Sequence, residues 1–161
     1  MSQDLEIVLT RSGRDKLETK LDYLRNVQRR EVAERIRDSR QFGDLAENAE
    51  YDDAKTEQAL VESQISEIRR VLQLAQVLEN DDIPTDYVGI GSMVRLTNED
   101  TDDDWELTLV SSVEADPDTD LISDESPVGE ALMGKRVGDS VVIHVPNGTL
   151  HFHIESIRKS S

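Results

Sequence analysis

The chain has 161 residues, a formal net charge of −17 and no cysteine. Without cysteine it can have neither a disulfide framework nor a thiolate metal site. Its acidity excludes a general affinity for the nucleic-acid backbone, because like charges repel. No apolar run approaches the roughly 20 residues of a membrane span, and the N-terminus lacks the basic and apolar regions of a signal peptide. We therefore expect a soluble cytoplasmic protein that does not enter the membrane.

The two halves of the chain differ in charge and in periodicity. Residues 1–80 carry 13 basic and 17 acidic side chains, whereas residues 81–161 carry 5 basic and 18 acidic ones. Helical periodicity dominates the first half and strand periodicity the second. The sequence therefore predicts two domains, residues 1–80 and residues 81–161.

Residues 10–42 have the pattern of one long helix. Thr10 can cap free backbone N–H groups at its start, and Gly43 can end it. No proline interrupts the segment, and an apolar stripe runs along it with a polar break at residues 28–31. The stripe consists of Leu17, Leu21, Leu24, Val32 and Ile36.

Residues 45–78 predict a second helix with a more regular apolar seam. The seam follows the 4-3 repeat of coiled coils and includes one polar residue. Because only Gly43 and Asp44 connect the two helices, they are predicted to run antiparallel, and at about 1.5 Å per residue each would be roughly 50 Å long. The first half is therefore predicted to be a long antiparallel coiled-coil hairpin. The seam positions of the second helix are Ala54, Gln58, Val61, Ile65, Ile68, Leu72 and Ala75.

The second half predicts a small α+β domain. It follows a polar linker at residues 81–86. Pro127, preceded by Ser126, favours the start of a short helix that runs to about Met133, and residues 146–148 favour a turn between two strands. The whole chain is thus of the α+β class. Four strands are predicted from alternating hydrophobicity, at residues 93–97, 105–110, 141–145 and 150–154.

Two carboxylates, Asp44 and Glu47, lie at the end of the predicted hairpin. Their spacing is that of a helix capping box, with Asp in place of Ser or Thr. It also suits Mg²⁺, which commonly takes one or two protein carboxylates and fills its other positions with water or phosphate oxygens. The two interpretations are compatible because an ionised carboxylate has about four acceptor sites. A hairpin of two helices cannot enclose a substrate, so any chemistry at its end would be completed in a partner's active site.

A run of arginines leads along the first helix toward the hairpin end. One interpretation is a solvated flank in which Glu31, Glu34 and Asp38 are intrahelical partners. The other is electrostatic guidance of RNA or phosphates toward the acidic pair. Both stay open on the sequence alone. The run comprises Arg25, Arg29, Arg30, Arg35, Arg37 and Arg40.

Three further groups of polar residues have an ordinary structural interpretation. Asn48, Glu50 and Tyr51 are either plain helix residues or contacts to a partner. His151 and His153 are predicted to be exposed strand residues, because no neighbour in the sequence completes a metal site. The acidic residues 102–104 lack the spacing of an EF-hand loop and are predicted to form a solvated turn.

Segments along nearly the whole chain resemble the bacterial Gre transcript cleavage factors, and the GreA type in particular. The most specific segment is the acidic end of the hairpin and the start of the second helix. Other matching segments lie at the start of the first helix and in the predicted α+β domain. In order, they are Leu9-Thr10, Lys16-Leu17-Glu18, Gly43-Asp44-Leu45-Ala46-Glu47-Asn48-Ala49-Glu50-Tyr51, Ala54-Lys55-Thr56-Glu57-Gln58, Ser126-Pro127-Val128-Gly129, Ala131-Leu132-Met133-Gly134-Lys135 and Val137-Gly138-Asp139.

The resemblance implies a fold, a partner and an activity. The second domain would be FKBP-like and would dock on bacterial RNA polymerase, while the hairpin reaches through the secondary channel of the polymerase. There Asp44 and Glu47 would help to hold an Mg²⁺ ion shared with the polymerase. The protein would not itself be an enzyme but would stimulate cleavage of the nascent RNA 3′ end in backtracked complexes, rescuing arrested transcription.

The same resemblance assigns less specific roles to other residues. Arg29, Arg30 and Arg37 would face the extruded RNA, and Asn48, Glu50 and Tyr51 would make contacts near the acidic pair. The protein is expected to be a monomer.

Two alternatives to transcript cleavage stay open. One is a Gre-like regulator that occludes the polymerase channel without stimulating cleavage. The other is a structural adaptor whose coiled coil dimerises and whose acidic pair is only a helix cap.

Overall fold

The structure is a computed structural model, and it describes residues 7–40 and 45–160, without the side chains of residues 45–47. The described chain forms two compact units. One unit comprises Arg14–Leu74 and the other comprises the remaining described residues. The helical unit thus ends six residues before the sequence-based boundary at residue 80. Within the described part of the chain, no helix is long and apolar enough to cross a membrane.

The helical unit is built from two antiparallel helical arms. The first arm contains α1 (Arg11–Tyr23), a π-helical segment (Leu24–Gln28) and α2 (Arg29–Arg40) in direct succession. The second arm is the single helix α3 (Leu45–Leu74). The prediction of a long helix on each side of residues 43–44 is confirmed, and the last two residues of the first predicted helix lie outside the described residues.

The end of α3 differs from the prediction. Instead of continuing to residue 78, the chain leaves the helix after Leu74 and forms the strand β2 (Gln76–Leu78). This strand pairs in parallel with β1 (Val8–Thr10), at the beginning of the first arm. The predicted helical end was wrong because strand pairing with a segment nearly 70 residues away overrides the local helical pattern.

A continuous apolar core joins the two arms. On α3 the predicted seam positions Ala54, Val61, Ile65 and Ile68 are buried, and Gln58 is half-buried among them. The seam departs from the prediction at its end, where Val71 is buried and the predicted Leu72 and Ala75 are only partly so. Leu17, Tyr51 and Leu72 pack against this core from its edges. The buried side chains of the cluster are Leu21, Leu24, Val32, Ile36, Ala54, Val61, Ile65 and Ile68.

The π-helical segment explains the irregular stripe of the first arm. Leu24 and Val32 are both buried, yet they are eight residues apart, whereas two turns of an α-helix take about seven. In the segment the N–H of Arg29 bonds the carbonyl of Leu24, five residues earlier, and so encloses one residue more than an α-helical bond does. The π-helical segment accommodates the additional residue. The side chains that follow it therefore lie again on the face that packs on α3.

Thr10, which together with Gly13 belongs to the unit of the sheet, makes a partly buried polar contact with Glu114 of the same unit. The Thr10 hydroxyl accepts a hydrogen bond from the Gly13 N–H at 3.0 Å, as expected of a helix cap. The Thr10 N–H and hydroxyl in turn donate to the two carboxylate oxygens of Glu114, at 2.7 and 3.0 Å. A Cβ atom at position 13 would lie 2.1 Å from the Glu114 carboxyl carbon, so glycine makes room for this contact.

The second unit contains a five-stranded sheet with the order β5-β4-β3-β7-β6. All neighbouring strands are antiparallel except β4 and β5, which are parallel. The four predicted strands are confirmed, and β5 was not predicted. The strands are β3 (Ser92–Asn98), β4 (Asp104–Val110), β5 (Leu121–Ser123), β6 (Ser140–Val145) and β7 (Gly148–Lys159).

The helix α4 (Pro127–Leu132) packs on the core of this sheet. It begins as predicted, with the Ser126 hydroxyl accepting a hydrogen bond from the Gly129 N–H at 3.0 Å. A Cβ atom at Gly129 would lie 1.9 Å from the Ser123 carbonyl oxygen, so the close approach of helix and loop requires glycine. Alternate residues of the strands form the buried core, including Val94, Leu96, Leu107, Leu109, Val141, Ile143, Phe152 and Ile154.

Deleting Asn26 should leave the thermal stability of the hairpin nearly the same as in the unmodified protein. The deletion reduces the spacing of Leu24 and Val32 to seven, so an uninterrupted α-helix would keep both side chains in the core. Thermal unfolding followed by circular dichroism should show a midpoint within about 4 °C of the unmodified protein.

Deletion of Glu34 is the matched control, because it also removes one exposed residue from the first arm. It rotates Ile36 and the residues after it by about 100° around the helix axis relative to Val32, which carries Ser39 off the core face, so the midpoint should fall by more than about 5 °C. Equal destabilisation by both deletions would contradict the role assigned to the π-helical segment.

Candidate functional site

The acidic pair predicted to carry the chemistry falls at the edge of the described residues. Asp44 lies outside them, and Glu47 is described only by its backbone, in the first turn of α3. Asn48 and Glu50 follow as exposed residues of α3, and Tyr51 is partly buried. The structure therefore describes the helical residues next to the acidic pair rather than the carboxylates themselves.

Among the residues whose side chains are described, three contacts between the two arms follow one regular register. Arg29 makes a two-pronged ion pair with Glu62, with N–O distances of 2.7 and 2.8 Å. Closer to the turn, Arg35 bonds Glu57. From one contact to the next, the arginines on α2 advance by six and then five residues. Their partners on α3 recede by five and then six residues, as expected for antiparallel helices. The third contact joins Arg40 to the Tyr51 hydroxyl at 3.2 Å, with the guanidinium carbon 5.5 Å from the ring centre.

Arg35 makes a further contact outside this regular register. Its Nε and Nη2 atoms donate to one oxygen of Glu50, at 3.1 and 2.8 Å. Glu50 lies seven residues closer to the turn than Glu57, so one guanidinium group joins two successive positions on the same side of α3. We call Arg35, Glu50 and Glu57 the distal clamp.

The arginine run divides into paired and unpaired members. The interpretation as intrahelical pairs was wrong for Arg29, Arg35 and Arg40, because their guanidinium groups bond side chains of α3 instead. The other three, Arg25, Arg30 and Arg37, are exposed and form no ion pair with any side chain that the structure describes.

Arg30 and Arg37 are seven residues apart on α2, which places them on the same side of the helix. They are therefore cations that an anionic partner could reach. The predicted contact of Arg29, Arg30 and Arg37 with RNA stays a prediction, as do the partner contacts of Asn48, Glu50 and Tyr51.

The cross-helix contacts change the acidity of their members. Hydrogen bonding from Arg29 lowers the pKa of Glu62, because the bond favours the ionised carboxylate. Hydrogen bonding from Arg40 likewise lowers the pKa of the Tyr51 hydroxyl. These side chains are exposed enough that water screens the charges, so such pairs contribute little stability, and their main effect is to specify which residues face each other.

The partners on α3 were not identified from the sequence. Residues at equal distances from residues 43–44 would be Arg29 and Gln58, Arg35 and Asp52, and Arg40 and Glu47. The observed partners Glu62, Glu57 and Tyr51 lie four or five residues further along α3, so counting from the turn does not identify them. The diagonal contact to Glu50 has no sequence signature either, since it depends on the conformation of a long side chain.

The polar groups of the sheet unit serve structural roles. His151 lies with its Nδ1 atom 3.3 Å from Asp100, and both His151 and His153 are partly exposed, as predicted. The turn lies at residues 99–101 rather than at the predicted 102–104, because Asp104 already belongs to β4, where it accepts hydrogen bonds from Arg95 at 2.7 Å and Thr97 at 3.0 Å. Among the residues whose side chains are described, no cluster of three His, Asp or Glu residues could hold a metal ion.

Comparison with known proteins identifies the family. Residues 7–77 match the family described as "Transcription elongation factor, N-terminal", and residues 83–159 match "Transcription elongation factor, GreA/GreB, C-term". Transcription elongation factor GreA of Acetivibrio thermocellus is 48% identical over 159 residues, which are 99% of this chain and 100% of the relative. The protein of the same name from Thermoanaerobacter pseudethanolicus is 48% identical over 153 residues, covering 95% of this chain and 98% of the relative.

Among solved structures, GreA factor homolog 1 (Gfh1) of Thermus thermophilus is 29% identical, with 96% of this chain and 99% of that chain covered. The TM-score is 0.45, and a likeness at that level does not bear on the function. The two family matches and the full-length relatives are sufficient, and the chain belongs to the GreA/GreB family of transcription elongation factors.

Replacing Arg29 with Gln should raise the pKa of Glu62 toward the ordinary glutamate value. Because the folded-state pKa is lowered, the pair contributes stability above the ordinary pKa, and this contribution is lost as the pH falls through the folded-state value. Carbon-13 NMR titration of the Glu62 carboxyl group measures the change directly. Arg95→Gln, in the other unit, is the control and should leave the Glu62 titration where it is.

Proposed function

We propose that this protein binds bacterial RNA polymerase as a monomer and stimulates the cleavage of backtracked nascent RNA by the polymerase. The observation that carries the proposal is the 48% identity to transcription elongation factor GreA over 99% of the chain. The helical unit supports it, because an antiparallel hairpin with an acidic end is suited to delivering side chains into a partner. In this proposal the protein is not itself an enzyme, since the polymerase supplies most of the active site.

The dimensions of the hairpin suit insertion into a channel. α3 has 30 residues, which gives an arm of about 45 Å at 1.5 Å per residue. We propose that the two arms form a coiled coil that enters the secondary channel of the polymerase. The sheet unit would then have the FKBP-like fold that the family resemblance implies and would dock at the channel entrance.

The acidic pair is proposed to act on the reaction. Asp44 and Glu47 supply carboxylate oxygens, the ligand type that Mg²⁺ prefers, and their number fits an ion that takes its remaining ligands from the polymerase and the RNA. When bound there, Mg²⁺ would lower the pKa of water and stabilise the charge on the leaving oxygen. The part of this chain is to carry the carboxylates to the extruded RNA 3′ end and to hold them there.

Asp44→Asn and Glu47→Gln should abolish stimulated cleavage without preventing polymerase binding. Asn remains a good helix cap and Gln can still close a capping box, so helix formation should survive. With a backtracked polymerase complex and Mg²⁺, we expect the rate of RNA cleavage to fall at least about 100-fold in each variant, because the metal ion that activates water and stabilises the leaving oxygen is held less well.

The outcomes separate the candidate functions. Cleavage that persists in binding-competent variants would make the acidic pair structural. Failure of the unmodified protein to stimulate cleavage, despite binding, would favour a regulator that occludes the channel.

Arg30 and Arg37 are proposed to attract the RNA. The double variant Arg30→Gln, Arg37→Gln should require a higher concentration for half-maximal cleavage. Its dependence on salt should weaken by about one unit in log–log slope for each phosphate that an arginine no longer neutralises. The matched control is Arg25→Gln, Arg69→Gln, which removes two exposed arginines further from the turn. Equal effects of the two double variants would show that net charge, rather than position, matters.

A further inference from the structure

We infer that Arg35 is a positioning residue that sets the axial register of the two arms next to the acidic pair. It does so through the distal clamp, in which its guanidinium group bonds both Glu50 and Glu57. The consequence for RNA cleavage rests on the proposed function. The consequence for the register of the arms does not.

Among the residues whose side chains the structure describes, the apolar core becomes thin toward the turn. The last large buried apolar side chain of α2 is Ile36, and the next buried residue is Ser39, whose hydroxyl bonds back to the Ile36 carbonyl at 3.1 Å. On α3 the most distal buried side chain among the described residues is Ala54, with Tyr51 only partly buried beyond it. Small side chains leave no deep interlocking of knobs and holes, so packing resists sliding less here than it does around Val61 and Ile65.

The distal clamp supplies the constraint that the packing lacks. A single ion pair between long side chains tolerates a shift of the helices, because both side chains can follow the motion. Two carboxylates seven residues apart lie about 10 Å apart along α3, at 1.5 Å per residue. The guanidinium group can reach both only near one axial position, since a slide toward either carboxylate lengthens the contact with the other.

The clamp also lies where register matters for the proposed chemistry. Glu50 is in the second turn of α3, three residues after Glu47, so the two residues are neighbours on the surface of the helix. Arg35 thereby ties α2 to the end of α3 that carries Glu47. Because misplacement of a reacting group by about 1 Å can cost as much as 100-fold in rate, a modest change in register would be visible in catalysis.

The test compares Arg35→Gln with Arg70→Gln as the matched control. Arg70 likewise bonds a glutamate, Glu67, but both residues lie on α3 and their bond does not join the arms. We expect Arg35→Gln to lower the maximal rate of stimulated cleavage by about 10-fold and to raise the Mg²⁺ concentration required, with the half-saturating concentration of the factor unchanged. Arg70→Gln should leave the maximal rate and the Mg²⁺ requirement unchanged.

Reversing the charges provides a rescue. The triple variant Arg35→Glu, Glu50→Arg, Glu57→Arg restores opposite charges at all three positions, and it should recover part of the maximal rate. An unchanged maximal rate in Arg35→Gln would overturn the inference. So would a loss confined to affinity for the polymerase, because that would make Arg35 a contact residue.

The register can be measured without the polymerase. Because the chain has no cysteine, spin labels can be attached uniquely at Asp38→Cys and Asp53→Cys, exposed positions that face each other across the arms. The inter-label distance distribution should shift or broaden in Arg35→Gln and stay the same in Arg70→Gln. An unchanged distribution would overturn the inference even if the unmodified protein proved not to stimulate cleavage, an outcome that by itself would contradict only the proposed function.

Discussion

The antiparallel register of α2 against α3 is the constraint on which the rest of the helical unit depends. It decides which side chains form the core, which arginines find carboxylate partners and which remain available to another molecule. Two kinds of interaction specify it along the hairpin. Around Leu24, Val61 and Ile65 large apolar side chains pack in a buried seam, whereas near the turn, where Ala54 and Ser39 leave little to interlock, charged contacts across the arms take over.

The π-helical segment shows how strongly the apolar seam controls the backbone. Each large apolar side chain that is fully buried contributes about 1.5–3 kcal/mol relative to exposure. Keeping Val32 and Ile36 in the core therefore outweighs the poorer geometry of one π-helical turn. The additional residue is accommodated close to the polar break of the sequence, and the two parts of the first arm both keep their apolar faces on α3.

The division of charge between the units has a counterpart in their organisation. In the helical unit, Arg29 and Arg35 form ion pairs across the arms. Arg30 and Arg37 lie on the same helix but face no acidic side chain that the structure describes, so they remain exposed cations. In the sheet unit a few basic side chains are bonded to acidic ones, as in Arg95 with Asp104 and Arg158 with Glu106. Most of its acidic side chains are exposed on the surface of the unit.

Local patterns in the sequence determined the long helices, four strands of the sheet, the Ser126 cap of α4 and the acidic segment that identifies the family. These features depend on neighbours within a few residues, so periodicity, capping and turn chemistry are sufficient to predict them. Only the tertiary structure decided where α3 ends, how the first arm absorbs one residue too many and which arginines are paired. Each of these depends on a partner far away in the chain: β1 for β2, α3 for the apolar stripe, and Glu50, Glu57 and Glu62 for the arginines. Contacts of that kind are set by packing in three dimensions, which overrides local preference when the two disagree.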